Sequence, residues 1–434
     1  MRLLFLILGF LFSLPAHALA PVQEVKSSSG VTAWLIEDHT NPIVSLHFSF
    51  RGGAALDPVG KEGLARLASA TMDEGAGKWD SQAFQSRLEA LSITLRFEAG
   101  MDNFNGRVLT LRENMDAAMD MLKTALMHPR FDGEPVERMR SQILADLRQR
   151  QEDPATLGTL ALYKSVLGFH PYGRGSKGTI TGIQNVSRED LAHFVKTRLG
   201  KDNLVIGVSG DITAQALQKL LDETFGSLPD KAAAWQLPEA SLTLNKKTQV
   251  ISKPIPQSSI MMVQGGIDRH HEDFYPAYVL NYMLGGGGFA SRLYEEVREK
   301  RGLVYSVYSY LVNYDKAALW LVGAGTQNAR VKETLGVVRE EWQKALESGF
   351  SAEEVADAKT YLTGSFPLRF KSSDRIASIL AGMQRDRLPI DFLETRNQQV
   401  EAVSVEDVNR VAKSLLTPDK LKAVVVGQPE GLPF

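Results

Sequence analysis

Two stretches of the chain, VSREDLAHFVKTRLGKDNLVIGVSG (186–210) and VSVEDVNRVAKSLLTPDKLKAVVVG (403–427), follow the same pattern. Val, Ser, Glu, Asp and Lys recur in register, and both stretches end in an apolar run closed by glycine. A second pair, which begins at Phe131 and Phe350, repeats Phe, Glu and Val at the same spacing. The later members lie 217 and 219 residues after the earlier ones. Two pairs of similar stretches that recur in the same order, at nearly the same distance along the chain, predict a duplicated domain of roughly 200 residues.

Each predicted domain opens on an alternating apolar stretch, IVSLHFSF (43–50) in the first and SSIMMVQGG (258–266) in the second. Alternation with a period of two is typical of half-buried strands. Residues 113–126 and 329–346 instead carry apolar side chains three and four positions apart, which predicts helices with one buried face. The predicted fold class is therefore α+β, with mostly antiparallel sheets and helices packed on one face of each sheet.

The domain boundaries follow from the repeat and from composition. We place the first domain at residues 22–228 and the second at residues 241–434. The segment between them, LPDKAAAWQLPEA (228–240), is rich in Pro and Ala, which suits a surface connection.

The N-terminal segment MRLLFLILGFLFSLPAHALA has one cation, Arg2, an apolar run from Leu3 to Leu14, and the small-x-small triplet that ends at Ala18. This order predicts a signal peptide, residues 1–18. An uncleaved membrane anchor is the alternative, although the run is shorter than the roughly 20 residues that a span needs. The sequence has no cysteine, so an exported form has neither disulfides nor thiolate metal ligands. We therefore expect the bacterial periplasm as the location.

Charge and hydropathy exclude two classes of partner. The formal net charge of −2 gives no electrostatic case for nucleic acid or for an anionic membrane surface. After the N-terminal segment, no stretch is long and apolar enough to cross a bilayer. We expect neither nucleic acid nor, after signal cleavage, a membrane as partner.

The stretch GGGGFASRLYEEVREKRGLVYSVYSYLVNYD (285–315) places four glycines before a charged helix that ends at Gly302. A glycine-rich turn before a helix can hold phosphate. This one lacks the Gly-Lys-Ser/Thr of a P-loop, and the preceding residues 275–284 favour a helix over the strand that a dinucleotide fingerprint requires. Nucleotide binding is therefore disfavoured.

The same stretch resembles the C-terminal-domain signature of the M16 family of zinc peptidases, which includes insulinase, pitrilysin and the mitochondrial processing peptidase. HPYGR (170–174) and GLARLASATMDEG (63–75) match further landmarks of that family in the expected order. The resemblance covers essentially all of the chain after the predicted signal peptide. It implies two homologous M16-type (LuxS/MPP-like) domains that form half of a clamshell.

The resemblance also implies a metal site, and this sequence departs from it. The family's first domain carries His-x-x-Glu-His on a helix, where two His bind Zn²⁺ and the Glu activates a water, and a later helix adds a Glu ligand. Here Arg66 and Ala70 stand at the histidine positions, Ser69 at the general-base position and Asp146 at the third-ligand position. Catalytic zinc needs about three protein ligands. One aspartate beside an arginine does not supply them, so we expect no zinc site and no other cofactor in this chain.

The remaining histidines do not replace the missing ligands. Most are scattered along the chain, and two adjacent ones lie in a predicted solvated turn, so the sequence offers no ligand pair at helical spacing. These histidines are His39, His47, His128, His170, His193, His270 and His271.

In the family, an Arg and a Tyr seven residues apart in the second domain bind the substrate backbone and stabilise the oxyanion. Arg298 and Tyr305 match that pair, and an arginine fork and a phenol suit such a role. Without the resemblance, Arg298 is one charge on a solvated helix and Tyr305 is an inward-packing strand residue. We also assign Gly285, Gly286, Gly287 and Gly288 to substrate binding.

Three hypotheses follow for the function. The first is a non-catalytic subunit of a periplasmic zinc endopeptidase heterodimer, which supplies Arg298 and Tyr305 to a zinc-bearing M16 homologue that hydrolyses peptides. The alternative is a periplasmic peptide-binding or scaffold protein without protease activity. An active peptidase with an unrecognised metal site is the third. The family adds peptides to a sheet edge, but the sequence does not identify the strand that would do so here.

Overall fold

Two β-sheets with helices packed against them make up the structure, a computed structural model that describes residues 21–432. The predicted signal peptide, residues 1–18, lies outside the described residues. Over residues 21–432, no helix is long and apolar enough to cross a membrane. The predicted α+β class is confirmed.

The first half of the chain forms a six-stranded sheet. The stretch predicted from alternation at 43–50 is a strand, and its even-numbered residues, such as Leu46 and Phe48, are buried in the core that the first-half helices cover. In chain order the elements are β1 (Gln23–Lys26), β2 (Thr32–Glu37), β3 (Ile43–Arg51), α1 (Leu64–Thr71), α2 (Ser81–Ala90), β4 (Thr94–Ala99), β5 (Asn103–Leu111), α3 (Met115–Met127), α4 (Gly133–Arg150), α5 (Pro154–Leu167), α6 (Ile180–Asn185), α7 (Arg188–Arg198), β6 (Leu204–Gly210) and α8 (Ala214–Phe225).

The second half forms a five-stranded sheet with its own helices. The predicted alternating stretch at 258–266 is again a strand. In chain order the elements are β7 (Thr248–Ser252), β8 (Gln257–Gly265), α9 (Phe274–Asn281), β9 (Val304–Tyr314), β10 (Ala317–Gln327), α10 (Val331–Glu347), α11 (Ala352–Gly364), α12 (Ser373–Arg385), α13 (Phe392–Glu401), α14 (Val405–Leu415) and β11 (Lys422–Gly427).

The five strands of the second sheet have the same topology as β2 to β6 of the first, which carries β1 as an additional edge strand. The first has the order β1-β2-β6-β3-β5-β4, and the second has the order β7-β11-β8-β10-β9. In each sheet one pair is parallel, β2 with β6 and β7 with β11, and the other pairs are antiparallel. Ser187 and Ser404 begin equivalent helices, α7 and α14, with the same capping box. β4 and β9 are therefore equivalent edge strands of a duplicated fold.

Helix α5 of the first half packs on the second sheet. Its residues Leu162 and Val166 are buried in one cluster with Met261 of β8 and Val424 of β11. Gly158 lies at the crossing, where a Cβ would come 3.3 Å from the Met261 Cγ atom. The absence of a side chain at Gly158 lets the helix approach the sheet closely.

Helix α12 of the second half packs on the first sheet in return. Ile376 and Leu380 share a buried cluster with Trp34 and Ile36 of β2. A Cβ at Gly207 of β6 would lie 2.3 Å from the backbone oxygen of Ala377, so α12 lies directly on bare strand backbone. Each sheet thus carries helices on both faces, whereas the sequence predicts helices on one face only. The second face of each sheet is also apolar, and the helix contributed by the other half removes that face from water.

Candidate functional site

The start of α1 is fixed by a buried carboxylate. Asp57 accepts hydrogen bonds from the backbone N–H groups of Gly63 (3.0 Å) and Ala65 (3.1 Å), and Arg198 lies 3.2 Å away. Burial raises the pKa of Asp57 to about 6, although Arg198 acts in the opposite direction. Gly63 has φ +110°, and a Cβ there would lie 2.4 Å from the Ile183 Cδ1 atom. These contacts hold the first turn of α1, and so the degenerate metal positions, in place.

Arg66 and Asp146 stand at two positions where the family has metal ligands, and the structure brings their side chains into contact. The Arg66 guanidinium donates to the Asp146 carboxylate at 2.5 Å and to the backbone oxygen of Lys177 at 3.1 Å. Arg150, one turn after Asp146 on α4, donates to the same carboxylate oxygen at 2.7 Å. Partial burial favours the neutral carboxyl, but hydrogen bonds from Arg150 and Arg66 outweigh it and lower the pKa of Asp146. Two guanidinium groups therefore compete for the carboxylate that a cation would need.

Ser69 and Ala70 offer no ligands. Ser69 is buried, and its hydroxyl donates to the backbone oxygen of Arg66 at 2.8 Å. Ala70 packs against the core of the first half. Among the described residues, no group of three or more His, Asp or Glu side chains is placed to hold a metal ion. The side chains at positions 66, 69, 70 and 146, where the family has its metal ligands and general base, do not fit zinc. A fixed guanidinium, that of Arg66, occupies the first of these positions.

Arg298 lies on a wide helical turn rather than on the regular helix that the sequence predicts. Residues Tyr294–Glu299 form a π-helix, in which the Lys300 N–H donates to the Glu295 oxygen five residues earlier. The Arg298 guanidinium donates to the Tyr294 hydroxyl and lies 4.7 Å from the centre of the Tyr294 ring. π-helical turns are rare and occur often at functional sites, because they redirect side chains.

Tyr305 projects from a bulge in edge strand β9. Ser306 pairs with Gly325 and Val304 with Thr326, so Tyr305 is the extra residue between two consecutive pairs. Tyr305 is 81% exposed, and the Arg298 guanidinium lies 5.2 Å from its ring centre. A bulge turns a side chain out of the regular alternation, which explains why Tyr305 does not pack inward.

The four glycines, predicted to form one turn before a helix, divide between a π-helical turn, a single turn residue and a short 3₁₀ helix. Gly285 and Gly286 end a π-helical turn that begins at Tyr282. A Cβ at Gly285 would lie 2.5 Å from the Ser309 hydroxyl of β9, and a Cβ at Gly286 would lie 2.6 Å from Asn281. Close packing therefore accounts for these two glycines.

Gly287 connects the π-helical turn to a 3₁₀ helix that begins at Gly288 and ends at Ala290. A Cβ at Gly287 would lie 2.8 Å from the Tyr282 backbone oxygen, and Gly288 has φ +57° with open space around it. The exposed Phe289 follows, and its ring centre lies 4.7 Å from that of Tyr294. The glycine segment is thereby packed against the region of β9, Tyr294 and Arg298. Substrate binding by the glycines stays a prediction.

Sequence reasoning missed the immediate partners of the predicted residues. Tyr294 precedes Arg298 by four positions and Arg150 follows Asp146 by four, a spacing that places side chains on one face of a helix and could have indicated both pairs. The contact of Arg66 with Lys177 has no such local signal, because the residues are far apart in the chain. The structure thus forms two separate clusters, Arg66 with Asp146 in the first half and Arg298 with Tyr305 in the second.

Comparison with protein families gives two matches. Residues 32–179 match the family described as insulinase (peptidase family M16), and residues 185–362 match the peptidase M16 inactive domain. The first region contains α1 and α4 with the degenerate metal positions. The second contains Arg298, Tyr305 and the glycine segment.

Individual relatives span most of the chain. A Helicobacter pylori protein named non-peptidase homolog YmxG is 28% identical over 414 residues, covering 95% of both chains. A mitochondrial-processing peptidase subunit beta from Lentinula edodes is 21% identical over 437 residues, covering 95% of this chain and 92% of its own. The crystal structure of a peptidase M16 inactive domain from Pseudomonas fluorescens superposes with a TM-score of 0.88 at 28% identity, covering 95% of this chain and 99% of its own.

Proposed function

Because the chain belongs to the insulinase (M16) peptidase family yet lacks the ligands for the family's metal, we propose that it is the non-catalytic subunit of a zinc endopeptidase heterodimer. In this proposal, the partner is an M16 homologue that carries Zn²⁺, and this chain supplies Arg298 and Tyr305. The observation that carries the proposal is the exposed Tyr305 beside Arg298, in a chain whose own metal positions are filled by Arg66 and Asp146.

The two side chains suit the stabilisation of negative charge on a peptide carbonyl oxygen. A guanidinium keeps its charge and presents a rigid fork of donors, and a phenol adds one O–H donor. Donors fixed before the reaction stabilise the transition state without reorganisation. Tyr294 orients Arg298 and leaves part of its guanidinium available. Tyr305 is free to reach a substrate that lies outside β9.

We also propose that the complex acts in the periplasm on peptides or unfolded polypeptides. The predicted signal peptide at residues 1–18 and the absence of cysteine support the location. The mitochondrial-processing peptidase relative is named as a subunit, which supports a role in a peptidase of more than one subunit.

The test is an assay of reconstituted activity. The purified chain alone should cleave no fluorogenic peptide, and adding a zinc-bearing M16 homologue from the same organism should give hydrolysis that neither chain shows alone. Arg298→Ala and Tyr305→Phe should each lower kcat of the pair on the order of 10²-fold, the usual loss for one oxyanion donor.

Two matched variants serve as controls for that assay. Arg330→Gln removes an arginine of the second half whose side chain is 39% exposed, and Tyr361→Phe changes an exposed tyrosine of α11. Both should retain the activity of the unchanged pair. Full activity of the Arg298→Ala, Tyr305→Phe double variant would refute the role of this chain in the reaction.

A second candidate is a peptide-binding or scaffold protein that works without a protease. Tyr308 and Tyr310 on β9 are exposed and stacked with ring centres 6.0 Å apart, and such an edge suits an added peptide strand. This candidate predicts that the chain alone binds extended peptides and that no zinc-bearing homologue co-purifies with it from periplasmic extract.

A further inference from the structure

The short segment between Arg298 and Tyr305 is anchored at Leu303. The Gly302 N–H donates to the Arg298 backbone oxygen at 2.8 Å, and the Leu303 N–H donates to the Val297 backbone oxygen at 2.9 Å. Leu303 is only 3% exposed and belongs to the core of the second half. It therefore joins the π-helical turn that carries Arg298 to the start of β9, two residues before Tyr305.

The backbone oxygen of Leu303 has a side-chain donor. Thr326 of β10 donates from Oγ1 to that oxygen at 2.5 Å, and Thr326 itself is 2% exposed. Thr326 also pairs with Val304 in the ladder pair that precedes the bulge. A buried backbone oxygen needs a donor, because leaving it unpaired costs the desolvation of that group. The Thr326 hydroxyl supplies this donor next to the bulged residue.

The bulge at Tyr305 gives this hydrogen bond its importance. A bulge interrupts the ladder, so the residues beside it have fewer backbone bonds to fix their conformation than the rest of the strand. After the bulge, Ser306 pairs with Gly325. Before the bulge, the Thr326 hydroxyl adds a bond to Leu303 that the ladder does not provide. The bulge is thus fixed on the side that leads to the π-helical turn.

A second buried threonine lies beside Thr326 and bonds elsewhere. Thr334 of α10 is fully buried, and its hydroxyl lies 3.4 Å from the Thr326 hydroxyl. It donates to the backbone oxygen of Arg330, at the start of the same helix, at 2.9 Å. A hydroxyl has a single proton, so this bond leaves Thr326 as the donor to Leu303.

We propose that Thr326 is a positioning residue for Tyr305. Its hydroxyl holds the Leu303 carbonyl, and through it the bulge that sets the spacing between the Tyr305 phenol and the Arg298 guanidinium. The proposal rests on the proposed function, in which these two side chains stabilise charge on one peptide carbonyl. Donors fixed before the reaction contribute most, and a misplacement of about 1 Å can cost on the order of 10²-fold in rate.

The first experiment measures hydrogen exchange by mass spectrometry in the chain alone. Thr326→Val removes the hydroxyl and keeps a side chain of similar shape, so exchange over residues 303–306 should become about 10-fold faster. Thr326→Ser keeps the hydroxyl and should exchange like the unchanged chain. Thr334→Val is the matched control, because it removes the neighbouring buried hydroxyl, and it should not alter residues 303–306. Residues 308–312 of β9 should exchange alike in all three variants, which verifies that the sheet is intact.

The second experiment measures kinetics of the pair formed with the zinc-bearing M16 homologue. Thr326→Val should lower kcat about 10-fold and change KM by less than about twofold, because the positioned group acts in the transition state. Thr326→Ser and Thr334→Val should retain the kcat of the unchanged pair. In a Tyr305→Phe chain, Thr326→Val should lower kcat by a further factor of less than about two, since the hydroxyl that it positions is gone.

Three outcomes would overturn the proposal. These are unchanged exchange over residues 303–306 in Thr326→Val, equal defects in Thr326→Val and Thr326→Ser, and the same fold loss of kcat with and without the Tyr305 hydroxyl. The last outcome would mean that Thr326 supports the fold in general rather than Tyr305. If Tyr305→Phe alone leaves kcat unchanged, the proposed function fails instead. Exchange in the lone chain then still decides whether Thr326 holds the bulge.

Discussion

The two halves of the molecule share a five-stranded topology and differ in the side chains at the positions where the family has its functional residues. In the first half, Arg66 and Asp146 bind each other, so the groups at the old metal position are satisfied within the chain. In the second half, Arg298 lies beside Tyr305, which projects into solvent from a bulge. A duplicated scaffold can therefore keep its packing while the two copies carry different side chains at their surfaces, paired with each other in one copy and exposed in the other.

The halves also reach the same close packing by opposite means. In the first sheet the glycine is in the strand, where Gly207 lets α12 rest on the backbone of β6. In the second sheet the glycine is in the helix, where Gly158 lets α5 approach Met261. Since only one partner of each contact must lack a side chain, either solution brings helix and sheet together.

The largest predicted effect is a gain of zinc binding in the first half. The combined change Arg66→His, Ser69→Glu, Ala70→His and Asp146→Glu should restore the ligand set on α1 and α4, because the structure brings positions 66 and 146 together. We expect a dissociation constant of about 1 µM or tighter, which is about 8 kcal/mol of binding free energy. Competition with a chromophoric chelator measures it.

Arg150 provides a way to sharpen that experiment. Its guanidinium lies 2.7 Å from the carboxylate of Asp146 and would compete with the metal. Adding Arg150→Ala to the four changes should therefore tighten zinc binding, whereas leaving Ala70 unchanged should remove one histidine and weaken it. A folded four-residue variant that binds no zinc would show that α1 and α4 are not placed as described.

The next largest predicted effect concerns α5 and α12, each of which packs on the sheet of the opposite half. Leu162 of α5 and Leu380 of α12 are both fully buried, so each change to Ala should lower the free energy of unfolding by about 2–5 kcal/mol. Each should also raise hydrogen exchange in the sheet of the opposite half, Leu162→Ala in β8 and β11 and Leu380→Ala in β6. Chemical denaturation and hydrogen-exchange mass spectrometry measure the two effects.

A neighbouring leucine on the same helix is the matched control. Leu160 of α5 is 43% exposed, so Leu160→Ala should change the unfolding free energy by much less than Leu162→Ala. If Leu162→Ala speeds hydrogen exchange in the first sheet alone, that result would contradict the packing of α5 on the second sheet.

The sequence predicted those elements whose pattern is local. Alternation located β3 and β8 to within a residue, because the two-residue period is fixed by the strand itself. The α+β class followed from the alternating strands and amphipathic helices in each half, and the repeat predicted the duplication. The sheet that an amphipathic helix covers is not a local property, so nothing in the sequence of α5 or α12 indicates that each crosses to the other half.

For the candidate site, too, one part of the description came from the sequence and another part only from the structure. The positions of Arg66, Asp146, Arg298 and Tyr305 came from resemblance to a family, and their roles stay predictions. Their geometry came from the structure alone. The bulge that exposes Tyr305 depends on the register between β9 and β10, and the wide turn that carries Arg298 depends on hydrogen bonds that a charged helical sequence does not reveal.

The smallest predicted effect is a difference in acid response between the halves. In the first half, burial raises the pKa of Asp73 at the end of α1 to about 6, with a further contribution from Glu74 and an opposing one from Arg96. In the second half, hydrogen bonds from Lys300 and Arg301 lower the pKa of Glu296 to about 2.

The signs of the two shifts are opposite. A raised pKa contributes stability that is present below the unfolded value of about 3.9 and is lost as the pH rises through about 6. A lowered pKa contributes stability that is present above about 4.3 and is lost as the pH falls toward 2.

Acidification from pH 7 to 5 should therefore slow hydrogen exchange around α1, after correction for intrinsic rates. Between pH 4 and 2, exchange in residues 294–301 should rise. Asp73→Asn should reduce the first response, and the remainder should come from Asp57 at the start of α1, whose pKa is also raised to about 6. Glu296→Gln should flatten the second response. Unchanged responses in both variants would mean that other groups set the acid stability of each half.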